Sequence, residues 1–453
     1  MKWKDKNILV VGMGKSGIAA ARALRKRGSR VTICDLKGEE QLGPAVSELR
    51  ELGVTVTAGR YPAVKKEEVD LVVASPGVPR TELPLATADQ MGIPVWSELE
   101  LAFVFSSAPW VAITGTNGKT TTTALTGQVL RDAGREVLVG GNIGQPLVEE
   151  VEAFPHSGVI VAEVSSFQLE SVYRFKPRVA AVLNVTPDHL DRHGTMEEYV
   201  RMKARIFANQ TPDDFAVLNY DDPLVRQMAA SGKGRVFYFS RREVLEHPGA
   251  YVEKGWIMLQ KEEKTPVLPA ADVAIRGAHN LENALAAAAC GLAMGVPAAK
   301  LAETLRTFPG VPHRLEKVAE IAGVLYVNDS KGTNPDAAIK ALEAFDCPIV
   351  LIAGGKNKGS DFSDFARKIK ERVRCLVLLG QAAPQIEEAV RKTGFDSIYR
   401  TESIEEAVTK AASLAQPGET VLLSPACASW DMFNNFEERG ERFKEAVYSL
   451  LGR

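Results

Sequence analysis

Between Trp110 and Thr121 the chain reads WVAITGTNGKTT, an apolar β-branched run that opens into a Gly-rich loop closing on Lys-Thr. The run predicts a buried strand. Gly115 and Gly118 let the backbone turn tightly, so that its N–H groups face outward where a helix begins. There the aligned peptide dipoles favour anionic oxygens. Lys119 supplies a point charge suited to terminal phosphates, and Thr120 a hydroxyl suited to Mg²⁺. The general phosphate-loop spacing asks for glycine at position 113, where this chain has Ile113. By that template alone, an ordinary strand-to-helix turn stays open beside the phosphate cradle.

Four further groups could do chemistry. Gly12-Met13-Gly14-Lys15-Ser16-Gly17 follows a predicted strand and Asp35 ends the next one, the form of a dinucleotide fingerprint. NAD, another nucleoside diphosphate, or a purely structural turn all fit it. Val159–Glu163 runs apolar and finishes on a carboxylate, where an Mg²⁺ ligand beside a phosphate loop belongs; a merely exposed strand-end Glu fits as well. NVTPDHLDRHG (184–194) crowds two Asp and two His into one loop. In the helix predicted over Met196–Asn209, Lys203 falls within the apolar stripe of Met196, Tyr199, Val200, Ile206 and Phe207. An inward lysine loses hydration, so its pKa falls and a neutral amine becomes available to react with CO₂ as a carbamate. A snorkelling stem or a buried ion pair are the plainer readings of the same spacing.

These residues need a scaffold, and the chain alternates short apolar runs with helical stretches, the pattern of parallel α/β layers. The 453 residues suit about three domains at roughly 150 residues each. Strands are expected at Asn7–Gly12, Arg30–Asp35, Val54–Gly59, Val69–Ser75 and Val95–Glu98 in a first block. A second block is expected near Val111–Thr114, Glu136–Val139, Gly158–Val164, Val179–Val185 and Ala216–Asn219. Val236–Phe239 and Tyr251–Leu259, broken by Glu253-Lys254-Gly255, predict a short antiparallel addition, and Leu281–Met294 an Ala-rich helix. A third block carries runs near Val324–Asn328, Pro348–Ala353, Cys375–Leu379 and Val421–Leu423. Three polar loops follow such runs: NDSKGTN (328–334), GGKNKGSDF (354–362) and SPACASWDMFNNF (424–436). Their lysines, hydroxyls and amides at the ligand-binding edge of a sheet suit a dianionic substrate.

Composition narrows the classes. With 55 basic and 57 acidic residues there is no dedicated nucleic-acid or anionic-membrane surface. No apolar run approaches the roughly 20 residues of a membrane span, and no secretory signal is read at the start. The five cysteines lack CxxC spacing and read as reduced structural thiols of a cytoplasmic protein.

Together, TGTNGKTT (114–121), GGNIG (140–144), EVSSFQLE (163–170), NVTPDHLDRHG (184–194), HNLENALAA (279–287), NDSKGTN (328–334) and SPACASWDMFNNFEERG (424–440) resemble the ATP-dependent Mur ligases over essentially the whole chain. The family's short loop accounts for Ile113. The resemblance implies an α/β fold of three domains: an N-terminal Rossmann-like UDP-binding domain (1–97), a central P-loop-type ATPase domain (98–310), and a C-terminal Rossmann-like ligase domain (311–453). It implies ATP and Mg²⁺ at two sites, and ligation of D-glutamate to UDP-N-acetylmuramoyl-L-alanine through an acyl phosphate and a tetrahedral intermediate. It also implies a cytoplasmic monomer with no nucleic-acid partner and no membrane insertion. The Asp-Asn-Pro-Arg signature of diaminopimelate-adding members is absent. A meso-diaminopimelate- or lysine-adding Mur ligase, a folylpolyglutamate synthetase, a nicotinamide oxidoreductase and a nucleotide switch are the competing readings.

By correspondence with the family, Gly115, Thr116, Asn117, Gly118, Lys119, Thr120 and Thr121 hold the ATP phosphates, and Asn280, Arg314 and Asp329 match its adenosine and phosphate contacts. Thr120 and Glu163 serve one Mg²⁺; His189 and carbamylated Lys203 serve a second. Asn142 and His189 lie near the reacting carboxylate, with Lys119 and Lys203 counted among the catalytic groups. Gly14, Lys15, Ser16, Gly17, Asp35, Ser75, Pro76 and Gly77 hold UDP in place of NAD. Lys331, Thr333, Lys358, Ser429 and Phe436 surround D-glutamate.

Overall fold

The structure, a computed structural model, describes residues 3–451. Its strands assemble into three sheets. The first is wholly parallel, in the order Thr55–Ala58, Arg30–Asp35, Asn7–Val11, Leu71–Ala74, Val95–Ser97. Its strands are covered on both faces, which explains their nearly continuous Val/Ile/Leu sequences. Strand order reverses between Asn7–Val11 and Leu71–Ala74, so a crevice opens beyond their carboxyl ends at Gly12 and Ser75.

The second sheet has nine strands, in the order Lys264–Pro269, Trp256–Gln260, Gly249–Glu253, Arg235–Ser240, Phe215–Asn219, Val179–Val182, Trp110–Thr114, Val159–Glu163, Val137–Gly141. Trp110–Thr114 lies between Val159–Glu163 and Val179–Val182, with Ile113 opposite both Glu163 and Ala181. The carboxyl end of the loop strand is thus flanked by Glu163 on one side and Leu183-Asn184 on the other. Beneath, Trp110 is buried and meets Phe103 and Phe175 edge-on at 5.9 and 5.7 Å.

The third sheet runs Glu316–Ile321, Val324–Asn328, Thr420–Leu423, Ile349–Gly354, Val373–Leu379, Ile398–Arg400, parallel except for the first strand. The described residues divide into two compact units, Met1–Val273 with Glu282–Thr307, and Ala274–Leu281 with Phe308–Arg453. The five cysteines are free, and Cys34, Cys290, Cys375 and Cys427 are buried. No helix among the described residues is long and apolar enough to cross a membrane.

Several elements depart from expectation. Arg235–Ser240 pairs parallel with Phe215–Asn219, because the helix Pro223–Gln227 returns the chain by a crossover. Gly249–Glu253 is parallel as well, so the antiparallel addition is only Trp256–Gln260 and Lys264–Pro269. The break at Glu253-Lys254-Gly255 is a tight hairpin turn: Glu253 pairs with Trp256, and Lys254 and Gly255 both have positive φ, 49° and 81°. Lys264–Pro269 is a further strand, outermost in the sheet, where Pro266 and Pro269 are tolerated. Glu316–Ile321 and Ile398–Arg400, both at edges, were also unforeseen. The helix from Met196 ends at Ala204 and tightens into a 3₁₀ turn over Arg205–Phe207, and the Ala-rich helix begins early, at Ala278.

Candidate functional site

In the first unit, the strand Trp110–Thr114 delivers the chain into the Gly115–Gly118 loop, and the helix Lys119–Asp132 starts at once. Gly118 sits at φ +83°, and a side chain there would run into Asn283 Oδ1, which in turn accepts from Thr122 Oγ1 at 3.2 Å. The loop is pinned from the neighbouring strand end. Asn184 Oδ1 accepts from Asn117 N (2.8 Å), its Nδ2 donates to Asn117 O (3.1 Å), and Asn184 O accepts from Thr116 N (2.9 Å). Thr186 N donates to Thr116 Oγ1 at 3.1 Å, and the Tyr199 hydroxyl lies 3.2 Å from the same oxygen.

Two lysines converge on this loop. Lys119 Nζ donates to Gly115 O (2.9 Å) and Thr116 O (2.8 Å). Lys203 Nζ donates to the same Gly115 O at 2.9 Å and lies 4.5 Å from the Tyr199 ring centroid. Lys203 is 1% exposed, as its place in the apolar stripe predicted. Burial, reinforced by Lys119, holds its pKa well below the usual lysine range against the opposing pull of Asp188.

Beside the loop, Glu163 ends its strand buried, which sets aside the exposed strand-end reading. Its Oε1 accepts from Asn142 Nδ2 at 3.0 Å, while its Oε2 is buried with no hydrogen-bond partner. Thr121 Oγ1 is buried and unpartnered too. No group of three or more His, Cys, Asp or Glu side chains suited to a metal occurs among the described residues. The fit to Mg²⁺ is of another kind: this ion takes one or two carboxylates and completes its shell with hydroxyl, phosphate and water. The orphaned buried carboxylate oxygen of Glu163, on the strand next to the one that enters the loop, offers such a ligand. His189 is half-exposed, adopts φ +53° at the start of Leu190–His193, and packs on Phe167 with centroids 4.8 Å apart. His193, also in this loop, is buried with Nε2 3.0 Å from Ser166 Oγ, and burial lowers its pKa. It reads as structural.

The N-terminal crevice is built by close approach. A Cβ on Gly17 would collide with Gly12 O, and Gly12 itself has φ +96°. Ser75 Oγ donates to Gly12 O at 2.9 Å. Asp35 Oδ2 accepts from Met13 N (2.7 Å) and Oδ1 from Lys37 N (2.9 Å), so this carboxylate shapes the turn. The helix Lys15–Lys26 begins at exposed Gly14 with no side-chain cap and no acid in its first turn, next to Lys15 and Ser16. Its N–H groups face outward beside Pro76 and Gly77, free to meet an anion.

In the second unit, Asn280 and Arg314 line one cavity of about 470 Å³ together with Leu325 and Phe345. Asp329 is buried one residue past its strand. Its Oδ2 accepts from Ser424 Oγ (2.7 Å) and its Oδ1 from Leu315 N (3.3 Å); burial pushes its pKa up to about 6 against the opposing pull of Arg314 and that hydroxyl. Lys331 Nζ lies 5.5 Å from the Phe436 ring centroid, and Thr333 N donates to Lys331 O at 2.9 Å. Ser429 is buried, its carbonyl accepting from Met432 and Phe433, while Lys358 is exposed on its own loop. Arg439 ties the loops together: Nε donates to Ser330 Oγ (3.0 Å), Nη2 to Ser330 O (2.8 Å) and Nη1 to Cys427 O (3.2 Å).

Sequence reasoning missed Asn184, Tyr199 and Asn283 as partners of the phosphate loop, and in the second unit Arg439 and His313, whose carbonyl accepts from Lys331 N at 3.0 Å. The helical offset of Asn283 from Asn280 was a usable signal; nothing local distinguished Asn184.

The chain matches three descriptions of the same family: the Mur ligase MurD-like N-terminal domain over residues 6–97, the Mur ligase middle domain over 113–291, and the Mur ligase glutamate ligase domain over 313–427. It is 56% identical to the UDP-N-acetylmuramoylalanine–D-glutamate ligase of Pelotomaculum thermopropionicum, covering 98% of each chain. It is 49% identical to the ligase of that name from Caldanaerobacter subterraneus, covering 99% of this chain and 100% of that one. Among solved structures, the UDP-N-acetylmuramate-alanine ligase of Thermotoga maritima superposes with a TM-score of 0.58 at 19% identity, covering 98% of this chain and 99% of that one. A MurF from Acinetobacter baumannii superposes at 0.61 and 19%, covering 97% and 93%. Those two likenesses show the fold alone. With three domain descriptions spanning most of its length and relatives at about half identity, the chain belongs to the Mur ligase family.

Proposed function

We propose that this protein is the ATP-dependent ligase that joins D-glutamate to UDP-N-acetylmuramoyl-L-alanine, a step of peptidoglycan precursor synthesis. The observation that carries the site is the meeting of Lys119 and Lys203 on one carbonyl, that of Gly115, at 2.9 Å each. A lysine at a helix N-terminus and a second, buried amine of lowered pKa on the same carbonyl suit phosphate oxygens at the first and carbamate formation at the second. A carboxylate is a poor electrophile. Phosphorylated by ATP, the alanyl carboxylate becomes an acyl phosphate, and the amine of D-glutamate then expels phosphate through a tetrahedral intermediate. The protein's task is to position the reactants and offset developing charge.

In this reading Lys119 swings from its two loop carbonyls to the β- and γ-phosphates, and the N–H groups of the Gly115–Thr121 loop hold the remaining oxygens. Thr120 and Glu163 would hold Mg²⁺, which draws charge from the phosphates. A neutral Lys203 amine adds CO₂ and releases a proton, and the resulting carbamate with His189 would hold a second ion. Asn142, already bonded to Glu163, lies beside the alanyl carboxylate. Gly14–Gly17, Asp35 and Ser75–Gly77 take UDP, Asn280, Arg314 and Asp329 the adenosine side of ATP, and Lys331, Thr333, Lys358, Ser429 and Phe436 the D-glutamate. Domains at 1–97, 98–310 and 311–453, working as a cytoplasmic monomer, complete the proposal.

Phosphate release with ATP, Mg²⁺, UDP-N-acetylmuramoyl-L-alanine and D-glutamate, omitting each in turn, tests it. Peptide product and ADP are expected only from the full mixture. Phosphate release indifferent to D-glutamate, with no peptide formed, overturns it.

A further inference from the structure

On the first unit, a cavity of about 580 Å³ opens beneath the helix Met196–Ala204, lined by Arg80, Arg192, Arg201 and Arg205 against only Glu170 and Glu198. It is separate from the phosphate loop: Glu198, Arg201 and Arg205 lie along one side of this helical stretch, whereas Tyr199 and Lys203 turn toward Gly115 and Thr116.

The arginines are not equally compensated. Arg192 is held bidentately by Glu170, at 3.2 and 2.7 Å, and Arg201 by Glu198, at 2.8 and 2.6 Å. Arg80 leans outward to Asp89 and donates to Ser171 Oγ at 2.9 Å. Arg205 has only carbonyls, those of Leu169 (2.8 Å) and Val172 (2.6 Å), and no carboxylate among the described residues pairs with it. Burial lowers its pKa, with Arg201 and Arg80 adding to this as like charges and Tyr173 and Glu100 opposing it. Three of the guanidiniums are thus matched by carboxylates, and the half-buried Arg205, held by carbonyls alone, leaves a positive charge that an entering negative group would offset. Their planar forks match the paired oxygens of phosphate or carboxylate.

We propose that this arginine-lined cavity is a second anion site, separate from the phosphate loop, that takes a small anion bearing phosphate or paired carboxylate groups.

The test is calorimetric titration of the full-length protein, saturated with Mg²⁺, a non-hydrolysable ATP analogue and UDP-N-acetylmuramoyl-L-alanine so that the phosphate loop and the N-terminal crevice are both filled. Inorganic phosphate is the probe in one arm and malonate in the other. Binding of one equivalent in either arm is expected, and which arm binds separates a phosphorylated ligand from a polycarboxylate. Arg201 is well exposed, so Arg201→Glu should fold normally, and its melting temperature checks this. The variant should weaken binding roughly tenfold or more at low salt, and Arg201→Ala should weaken it less but in the same direction. Absence of binding in both arms overturns the proposal. So does binding whose strength is the same in wild type and both Arg201 variants.

Discussion

Gly118→Ala puts the construction of the phosphate loop to a quantitative test. Residue 118 adopts φ +83°, and an L side chain held in that left-handed region costs about 1–2 kcal/mol. The added methyl would also occupy the position of Asn283 Oδ1. Asn283 is 4% exposed, so it has little room to retreat, and moving it forfeits the 3.2 Å hydrogen bond from Thr122, worth about 1 kcal/mol. The two contributions predict a loss of about 2–3 kcal/mol in unfolding free energy. Urea denaturation followed by tryptophan fluorescence is the assay, because Trp3, Trp96, Trp110 and Trp256 all lie in the first unit and only Trp430 in the second.

The double variant Gly118→Ala/Asn283→Ala separates the two causes. Without the amide, the methyl has space, and only the backbone strain and the lost hydrogen bond remain. The two single effects should therefore exceed the double effect by about 1 kcal/mol. Affinity for an ATP analogue should fall in Gly118→Ala more than in Asn283→Ala, since only the former turns loop N–H groups away from their direction. The reasoning fails if Gly118→Ala changes stability by less than about 0.5 kcal/mol, or if the two substitutions are strictly additive.

Four other outcomes follow from the site. Lys119→Ala should lower kcat by ~10²–10³, the usual loss for one charge that stabilises a transition state; near-normal turnover would exclude its phosphate role. Lys203→Ala should nearly abolish turnover, and wild-type protein incubated with ¹³C-labelled CO₂ should give a carbamate resonance that the variant lacks; full activity with no such resonance refutes the carbamate. In CO₂-free buffer, moreover, the depressed Lys203 pKa means that the unfolded chain binds the extra proton, so stability should climb as pH rises toward the ordinary ~10.4. Lys203→Met should lose that slope. Asp329, raised to about 6, works in the opposite sense: its contribution is full below the ordinary ~3.9 and gone above about 6, a span on the order of 3 kcal/mol. Glu98, buried and raised to about 7, titrates in an overlapping range, so the comparison must be of wild type with Asp329→Asn, in which stability should vary less over this window.

What the sequence made legible was whatever depends on near neighbours along the chain. The loop glycines, the strand ending on Glu163 and the inward turn of Lys203 all follow from local spacing, and the structure has each in place. Pairing direction was less legible. Arg235–Ser240 carries the same apolar pattern whichever way it runs, and the short crossover helix at Pro223–Gln227 decides. Edge strands were hardest, because Pro266 and Pro269 punctuate an interior strand yet cost an outermost one almost nothing.

The partners that fix the site come from far along the chain, and this limits any reading by motif. Asn184 grips Asn117 across 67 positions, and Lys203 reaches Gly115 across 88. Periodicity says that Lys203 must point inward but not what it meets. Its chemistry is set by what it meets: a carbonyl that Lys119 also claims, under a tyrosine ring, with Asp188 the opposing charge. Were the same helix docked one turn further along, the apolar stripe would be equally well buried. The lysine would then be an ordinary snorkelling side chain, with its ammonium charge intact and nothing to offer CO₂. Its reactivity therefore belongs to the docking of Met196–Ala204 against the phosphate loop. Tyr199→Phe, which removes the hydroxyl 3.2 Å from Thr116 Oγ1, should weaken the ¹³C carbamate resonance while leaving Lys203 in the chain, and an unchanged resonance would refute this.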